Sequence, residues 1–245
     1  MENQIYQEIN LVQDKHWWFK GRRRVFERMV GLYLPPSGKF KGALDVGCGP
    51  GVNLGMLQMF AHEIGGLDNS DRAVLLAKQN YPSAAVFKSE LLSFQSNSKY
   101  DLITLLDVLE HIEDDCSALR KIEDLLLPGG IAVIMVPAFN FFWTRHDERL
   151  GHYRRYTISG LRDKICASTS LSIERISYFN FFLFLPMLLF RLVKKMGRRD
   201  GQSDFFMPLA SINYVLMKIF FAEARLMRFI NLPFGVSIIC VLRKK

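Results

Sequence analysis

The eight residues Leu44–Gly51, LDVGCGPG, decide how the rest of the chain reads. An apolar run, GALDV, ends in glycines at 47, 49 and 51, and a second apolar stretch, GVNLGMLQMF, follows. Glycine reaches positive φ without steric cost and puts no Cβ between backbone and ligand. A strand that ends in such a loop and opens a helix presents backbone N–H groups to a ligand. G-x-G-x-G alone is equally compatible with a purely structural turn, so the surroundings must decide.

Downstream, strand and helix patterns alternate. EIGGLD reads as a strand and SDRAVLLAKQN as a helix with Ser70 as its N-cap. AAVFKS is a short strand, and YDLITLLDV a longer one. EDDCSALRKIEDLL is a helix stopped by PGG, after which IAVIMVPA is the next strand. This alternation predicts an α/β fold with a doubly wound, mostly parallel sheet. A helix at about 157–168 comes next, then a strand, SIERISYF, and a final strand, GVSIICVLRKK. Two late strands split by an insertion predict seven strands, the last turned back antiparallel. Three parts follow: a helical lid over 1–40, a core over 41–178 and 236–245, and an apolar, basic insertion over 179–235.

The totals agree with that plan. At 245 residues and 49% apolar, the chain can fill one large core. Its formal charge of +8 points to phosphate, nucleic acid or an anionic membrane as partner, not to a fold. Cys48, Cys116, Cys166 and Cys240 lie far apart with no zinc spacing, so reduced thiols in a cytoplasmic protein are expected. The polar start, MENQIYQEIN, does not read as a signal peptide.

Ligand-facing residues gather at the carboxyl ends of the strands, where open α/β sheets bind ligands. Asp45, just before the glycine loop, can receive a ligand ammonium or order the loop. Asp68 ends the second strand, where a carboxylate can accept both hydroxyls of a ribose. SELLSF can flank an adenine, and LLDVLEHIE, with Asp107, brings the fourth strand to the same rim.

LDVGCGPG, GLDNS, YDLITLLDVLEHI and LLLPGG, in this order, resemble the class I S-adenosylmethionine-dependent methyltransferases over about residues 40–138 and the terminal strand. Within that family the chain is similar to the small-molecule enzymes of ubiquinone and menaquinone biosynthesis. The resemblance implies a Rossmann-like methyltransferase fold with S-adenosyl-L-methionine as cofactor. By it, Gly47, Cys48, Gly49 and Gly51 shape the methionine pocket and Asp68 holds the ribose. Asn69, Glu90 and Leu91 border the adenine. The family often carries an Asp near position 90 for the adenine amine, and here Ser89-Glu90 stands instead. A nicotinamide dehydrogenase is the nearest alternative, but its G-x-G-x-x-G places the third glycine one residue later.

His111 follows Glu110 at the rim; it either takes a proton from a phenol or hydroxyl as catalytic base, or only caps the next helix or packs against the cofactor. RHDERLGHYRRY carries His146, His152, Arg154, Arg155 and Tyr156 in the crossover that covers the acceptor in this fold. Adjacent arginines can grip a phosphate or carboxylate bidentately, which predicts a substrate lid; the alternative is a solvated basic loop. The six-residue separation of His146 and His152 is not a ligand spacing, so no metal is expected.

HWWFKGRRR, residues 16–24, sets Trp17, Trp18 and Phe19 beside a cluster of cations. As a lid, the rings cover the cofactor or a lipophilic acceptor and an arginine meets the methionine carboxylate; membrane contact and a plainly docked helix are the other readings. In the insertion, ISYFNFFLFLPMLLF is 15 uncharged residues, shorter than the about 20 that span a bilayer. The basic run RLVKKMGRR follows it. A helix at about 208–230 then carries Ser211, Lys218 and Arg225 on one face. Residues 179–235 hold eight Lys/Arg against three Asp/Glu, a net charge of +5. Peripheral membrane contact is expected there, with an oligomer interface as the alternative. The function expected is methyl transfer to a small, lipophilic or lipid-linked acceptor. Nucleic-acid methylation and a non-catalytic cofactor-binding protein compete with it. The former lacks an N-P-P-[YF] motif after strand four, and nucleic acid is not favoured.

Overall fold

The computed structural model describes Val12, residues 14–189 and residues 207–245. In chain order these give α1 (Trp17–Val30), β1 (Phe40–Val46), α2 (Val52–Leu57), β2 (Ala61–Asp68), α3 (Asp71–Asn80), β3 (Ala85–Lys88) and β4 (Tyr100–Leu106). There follow α4 (Asp115–Leu125), β5 (Leu126–Pro137), α5 (Arg145–Leu150), α6 (Ile158–Ser168), β6 (Ser172–Phe179), α7 (Ala210–Leu226) and β7 (Ser237–Arg243). The seven strands form one sheet, ordered β3-β2-β1-β4-β5-β7-β6. β1 to β5 pair in parallel, and β7 enters antiparallel between β5 and β6, as the late strands imply. The chain order reverses at β1/β4, the switch point where a ligand crevice opens.

Period-two alternation splits the core into two layers. Ile131, Val133 and Met135 of β5 join Ile239 and Val241 of β7 on one face. Ala132, Ile134 and Val136 join Ile238, Cys240 and Leu242 on the other. The first face is covered by α1, α2, α3 and α7, the second by α4 and α6.

α1 starts where His16 accepts a hydrogen bond from the Trp18 N–H at 3.2 Å. Val25, Phe26, Met29 and Val30, spaced three and four apart, are fully buried. Each such side chain contributes roughly 1.5–3 kcal/mol of burial. α7 packs along α1: a Cβ at Gly21 would stand 2.0 Å from the Phe220 ring. Asn213 of α7 accepts from the Trp17 N–H at 2.9 Å and donates to the Lys15 carbonyl at 2.9 Å. Buried Glu223 accepts the backbone N–H groups of Asn180, Phe181 and Phe182, which fixes the exit of β6.

One boundary differs from expectation. β5 begins at Leu126 and runs through Pro128-Gly129-Gly130 instead of starting after them. Gly129 adopts φ +80°, and the ladder continues because its N–H meets the Lys244 carbonyl at 2.8 Å. The basic run at 191–199 lies outside the described residues, as does most of the stretch before Asp14.

Candidate active site

The glycine loop follows β1 and opens α2. Gly47, Gly49 and Gly51 hold φ of +69°, +54° and +94°, the left-handed region. A Cβ at Gly47 would stand 2.5 Å from Val108, so this glycine also lets the loop close on the end of β4. Asp68 orders the loop directly: its Oδ2 accepts the Gly49 N–H at 2.8 Å and its Oδ1 the Ser70 N–H at 2.9 Å. Each oxygen keeps acceptor capacity for a ligand hydroxyl. Asp45 is fully buried beneath the loop; Thr104 donates to its Oδ1 at 2.6 Å, and Oδ2 has no partner. Burial pushes the Asp45 carboxyl up to about 7, against the Thr104 hydrogen bond. Cys48 is a buried free thiol, held far above its ordinary pKa by burial and then by Asp45 and Asp68.

Beside the loop lies a cleft of about 300 Å³. Trp17, Trp18, Phe19 and Arg22 of α1 form one wall, and Gly47, Cys48 and Gly49 another. Asp107, Glu110 and His111 come from the end of β4, and His146, His152 and Arg155 from the crossover after β5. The opening rings therefore do two jobs. Trp17 and Phe19 are largely buried, and Trp18 stacks on Phe179 at 6.4 Å while lining the cleft. The arginines divide. Arg24 pairs with Glu27 at 2.8 Å and Arg23 with Asp14 at 3.0 Å, but Arg22 reaches over the sheet rim to Asp107. Asp107 adopts φ +60°, a conformation that L side chains rarely take outside functional turns.

The polar end of the cleft is a network. The possible ligand atoms of Glu110, His111 and His152 lie within 4.8 Å of one another. Glu110 is fully buried and neither carboxylate oxygen has a hydrogen-bond partner. Burial pushes it up to about 8. The His111 and His152 rings meet edge to face at 4.6 Å, and burial, then His152, pull His111 down to about 4. His152 Nδ1 contacts Asp147 Oδ1 at 2.9 Å. Arg155 grips the same oxygen through Nε at 2.8 Å and Nη2 at 2.7 Å, and donates to the Ala138 carbonyl at 3.2 Å. Burial would raise the Asp147 carboxyl, but these partners outweigh it and hold it well below the usual carboxylate range.

The cleft thus gathers Trp18, Gly47, Cys48, Gly49, Asp107, His111, His146, His152 and Arg155. Asp45, Gly51 and Asp68 support it from behind. Asn69 and Glu90 are exposed on the open rim past β2 and β3, and Leu91 is buried in the core. Two expected acceptor residues lie elsewhere. Arg154 pairs with Asp115 at 2.8 Å and donates to the Ile112 and Glu113 carbonyls; the Tyr156 hydroxyl donates to Asp115 at 2.9 Å. Both line a second depression with Asn140 and Lys164, which Arg155 borders as well as the cleft. The two neighbouring guanidiniums are committed to different carboxylates, Arg154 to Asp115 and Arg155 to Asp147. Arg154 and Arg155 therefore do not form one clamp. Sequence reading did not single out Arg22 or Glu110. For Glu110 the signal was present, as an acid next to His111 just past the fourth strand.

Comparison with known proteins agrees with this geometry. A family described as a methyltransferase domain matches residues 18–176. Ubiquinone biosynthesis O-methyltransferase of Nitrosospira multiformis is 32% identical over 130 residues, covering 46% of this chain and 53% of that protein. Trans-aconitate 2-methyltransferase of Rhizobium leguminosarum is 28% identical over 104 residues, covering 42% and 41%. The chain spans about half the length of the curated relatives it matches. Among solved structures, N-methyltransferase NodS of Bradyrhizobium japonicum with S-adenosyl-L-homocysteine aligns with a TM-score of 0.55 at 17% identity. It covers 91% of this chain and 86% of NodS, and shows the fold.

The chain belongs to this methyltransferase-domain family, and its cofactor is S-adenosyl-L-methionine. The residues fit that group. The left-handed glycines form a cradle, Asp68 and the buried, half-satisfied Asp45 offer carboxylates, and Arg22 offers a cation on the opposite wall of the cleft.

Proposed function

We propose that the protein transfers the methyl group of S-adenosylmethionine to an ionisable hydroxyl of a small, lipophilic or lipid-linked acceptor. The observation that carries this reading is one cleft in which the glycine loop faces both the Trp17, Trp18 and Phe19 wall and the Glu110–His111–His152 cluster. The cofactor supplies an activated methyl electrophile, so the chain's work is alignment and proton handling. The residues of 1–40 act as a lid: Arg22 holds the methionine carboxylate, and Trp18 closes over the acceptor. Asp68 holds the ribose, with Asn69, Glu90 and Leu91 at the adenine. His111 and His152 stand at the polar end, where an acceptor hydroxyl gives up its proton.

The insertion over 179–235 brings the acceptor from a membrane surface. Supporting this, Leu209, Ile212, Tyr214, Val215 and Phe229 are exposed apolar side chains around α7, interspersed with exposed Lys218, Arg225 and Arg228. Ser211, Lys218 and Arg225 all lie on the exposed side of α7. Among the described residues no helix is long and apolar enough to cross a membrane, and the contact proposed is a peripheral one. Two measurements test the reading. A polyprenylated phenol should be turned over with a lower KM than the same phenol with a short alkyl chain. Vesicles with anionic lipid should carry the protein upward in flotation and release it in high salt. Equal KM values, with no flotation on either kind of vesicle and a tight dimer in solution, would make this face a subunit interface.

A further inference from the structure

We infer that the face outside the cleft binds a phosphate-bearing lipid, its phosphate in the depression of Arg154 and Lys164 and its hydrocarbon chain along a row of phenylalanine rings. The site goes beyond the acceptor reading above: it lies outside the cofactor cleft, and its occupancy is measured without methyl transfer.

The depression has a volume of about 400 Å³, and Phe139 and Phe141 line it together with Asn140, Arg154 and Lys164. Two cations there share one carboxylate: Arg154 meets Asp115 Oδ2 at 2.8 Å and Lys164 meets Oδ1 at 2.9 Å. Asp115 is buried, so the cluster keeps one net positive charge. The Arg154 and Lys164 side chains are 23% and 38% exposed, which leaves both within reach of a ligand. The Lys164 ammonium has three donors and gives one to Asp115. Asn140 accepts the Arg155 N–H through Oδ1 at 3.3 Å, which leaves its amide N–H groups as donors. A phosphate can take these donors and the surplus charge at once. Arg154, which the fold withdraws from the cleft, thus has an anion to hold here.

Phe139 and Phe141 also begin the row. Their rings stack at 5.0 Å, Phe141 meets Phe184 edge to face at 6.3 Å, and Phe184 meets Phe234 at 5.1 Å. Phe181 follows at 4.4 Å from Phe234. Three loops supply these rings, one after β5, one after β6 and one before β7. Phe141 is 61% exposed and Phe234 41%, so the row is open to solvent. A protein-binding surface would set Tyr, Trp or Arg among its anchors. This row is phenylalanine throughout and offers nothing to a hydrogen-bonding partner, which suits a hydrocarbon chain. Charge and rings are joined by the two residues they share, Phe139 and Phe141, and one molecule with a phosphate head and an apolar tail fits both parts.

The test is titration calorimetry of the full chain with decyl phosphate below its micelle concentration. One molecule should bind per chain, at least about 50-fold more tightly than butyl phosphate, because each buried methylene is worth up to about fourfold. Binding should also be at least about tenfold tighter than for decanol, which lacks the charge. Lys164→Gln should weaken decyl phosphate by about tenfold or more. Phe234→Ala should weaken decyl phosphate by at least about fivefold and leave butyl phosphate unchanged. Trp18→Ala in the cleft and Phe229→Ala beside α7 should leave decyl phosphate binding unchanged. S-adenosylhomocysteine affinity, unchanged in Lys164→Gln and Phe234→Ala, shows that both are folded. A wild type that ignores decyl phosphate overturns the site. Equal affinity for decanol removes the phosphate from it, and equal affinity for butyl phosphate removes the rings; either result overturns it. So does binding that Trp18→Ala or Phe229→Ala weakens and Lys164→Gln does not. A wild type that binds decyl phosphate as expected but no S-adenosylhomocysteine keeps this site and overturns the methyl-transfer reading.

Discussion

Arg22 of α1 forms an ion pair with Asp107 at the end of β4. The contact ties the amino-terminal helix to the sheet rim beside the glycine loop, where the proposed function has the same arginine hold the methionine carboxylate of the cofactor. Arg22→Gln should weaken S-adenosylhomocysteine binding by roughly 1.5–3 kcal/mol, the worth of hydrogen bonds to a charged group. Calorimetry reads this. Unchanged affinity would separate Arg22 from the cofactor.

Gly49 carries φ +54° and donates its N–H to Asp68. A β-branched side chain in that conformation costs about 1–3 kcal/mol. Gly49→Val should fold, as judged by circular dichroism, yet bind S-adenosylhomocysteine at least about tenfold more weakly. Full affinity in a folded Gly49→Val protein would remove the loop from the site.

Asp45 gives the affinity a pH dependence of definite sign. Its carboxyl is pushed up to about 7, so below that pH it is mostly neutral in the cofactor-free protein. The cofactor brings a sulfonium and an ammonium, which favour the carboxylate. Binding therefore expels a proton in acid, and affinity should rise with pH until about 7 and then level off. Stability of the cofactor-free fold runs the other way. Between the ordinary carboxylate pKa and about 7 the native state holds the extra proton, so stability falls as pH rises across that window. Asp45→Asn should flatten both slopes in calorimetry and thermal melts; slopes that survive the substitution would assign them to another group.

The two adjacent arginines should differ sharply. Arg155→Gln removes the fully charged partner of buried Asp147, a loss of about 3–5 kcal/mol. Arg154 is more exposed, and Asp115 keeps Lys164 and Tyr156, so Arg154→Gln should cost about 1 kcal/mol or less. Urea midpoints would show it. Equal losses would mean the pair acts as one unit.

Much of this was legible in the sequence, because local signals carried it. Strand and helix periods, the glycines at 47, 49 and 51 and the acids at 45 and 68 all act within a few residues of where they stand. The start of β5 was not legible, since Gly129 stays in the strand only by pairing with Lys244 at the far end of the chain. Arg22 was hidden among five cations; the angular position of α1 on the sheet selects it. Arg154 and Arg155 looked equivalent in the sequence, and only the fold gives them different partners, Asp115 and Asp147, from distant parts of the chain. The joining of His111 to His152 depends on the crossover after β5 folding back over the end of β4, which no local pattern encodes.

The most direct measurement is methyl transfer itself. The full chain is incubated with methyl-labelled S-adenosylmethionine and a total cell extract, and the products are partitioned between organic solvent, water and precipitated nucleic acid. Label should enter the organic phase, and Gly49→Val should abolish it. Label confined to nucleic acid or to water-soluble products, or no transfer at all by the wild type, would contradict a lipophilic acceptor in this cleft.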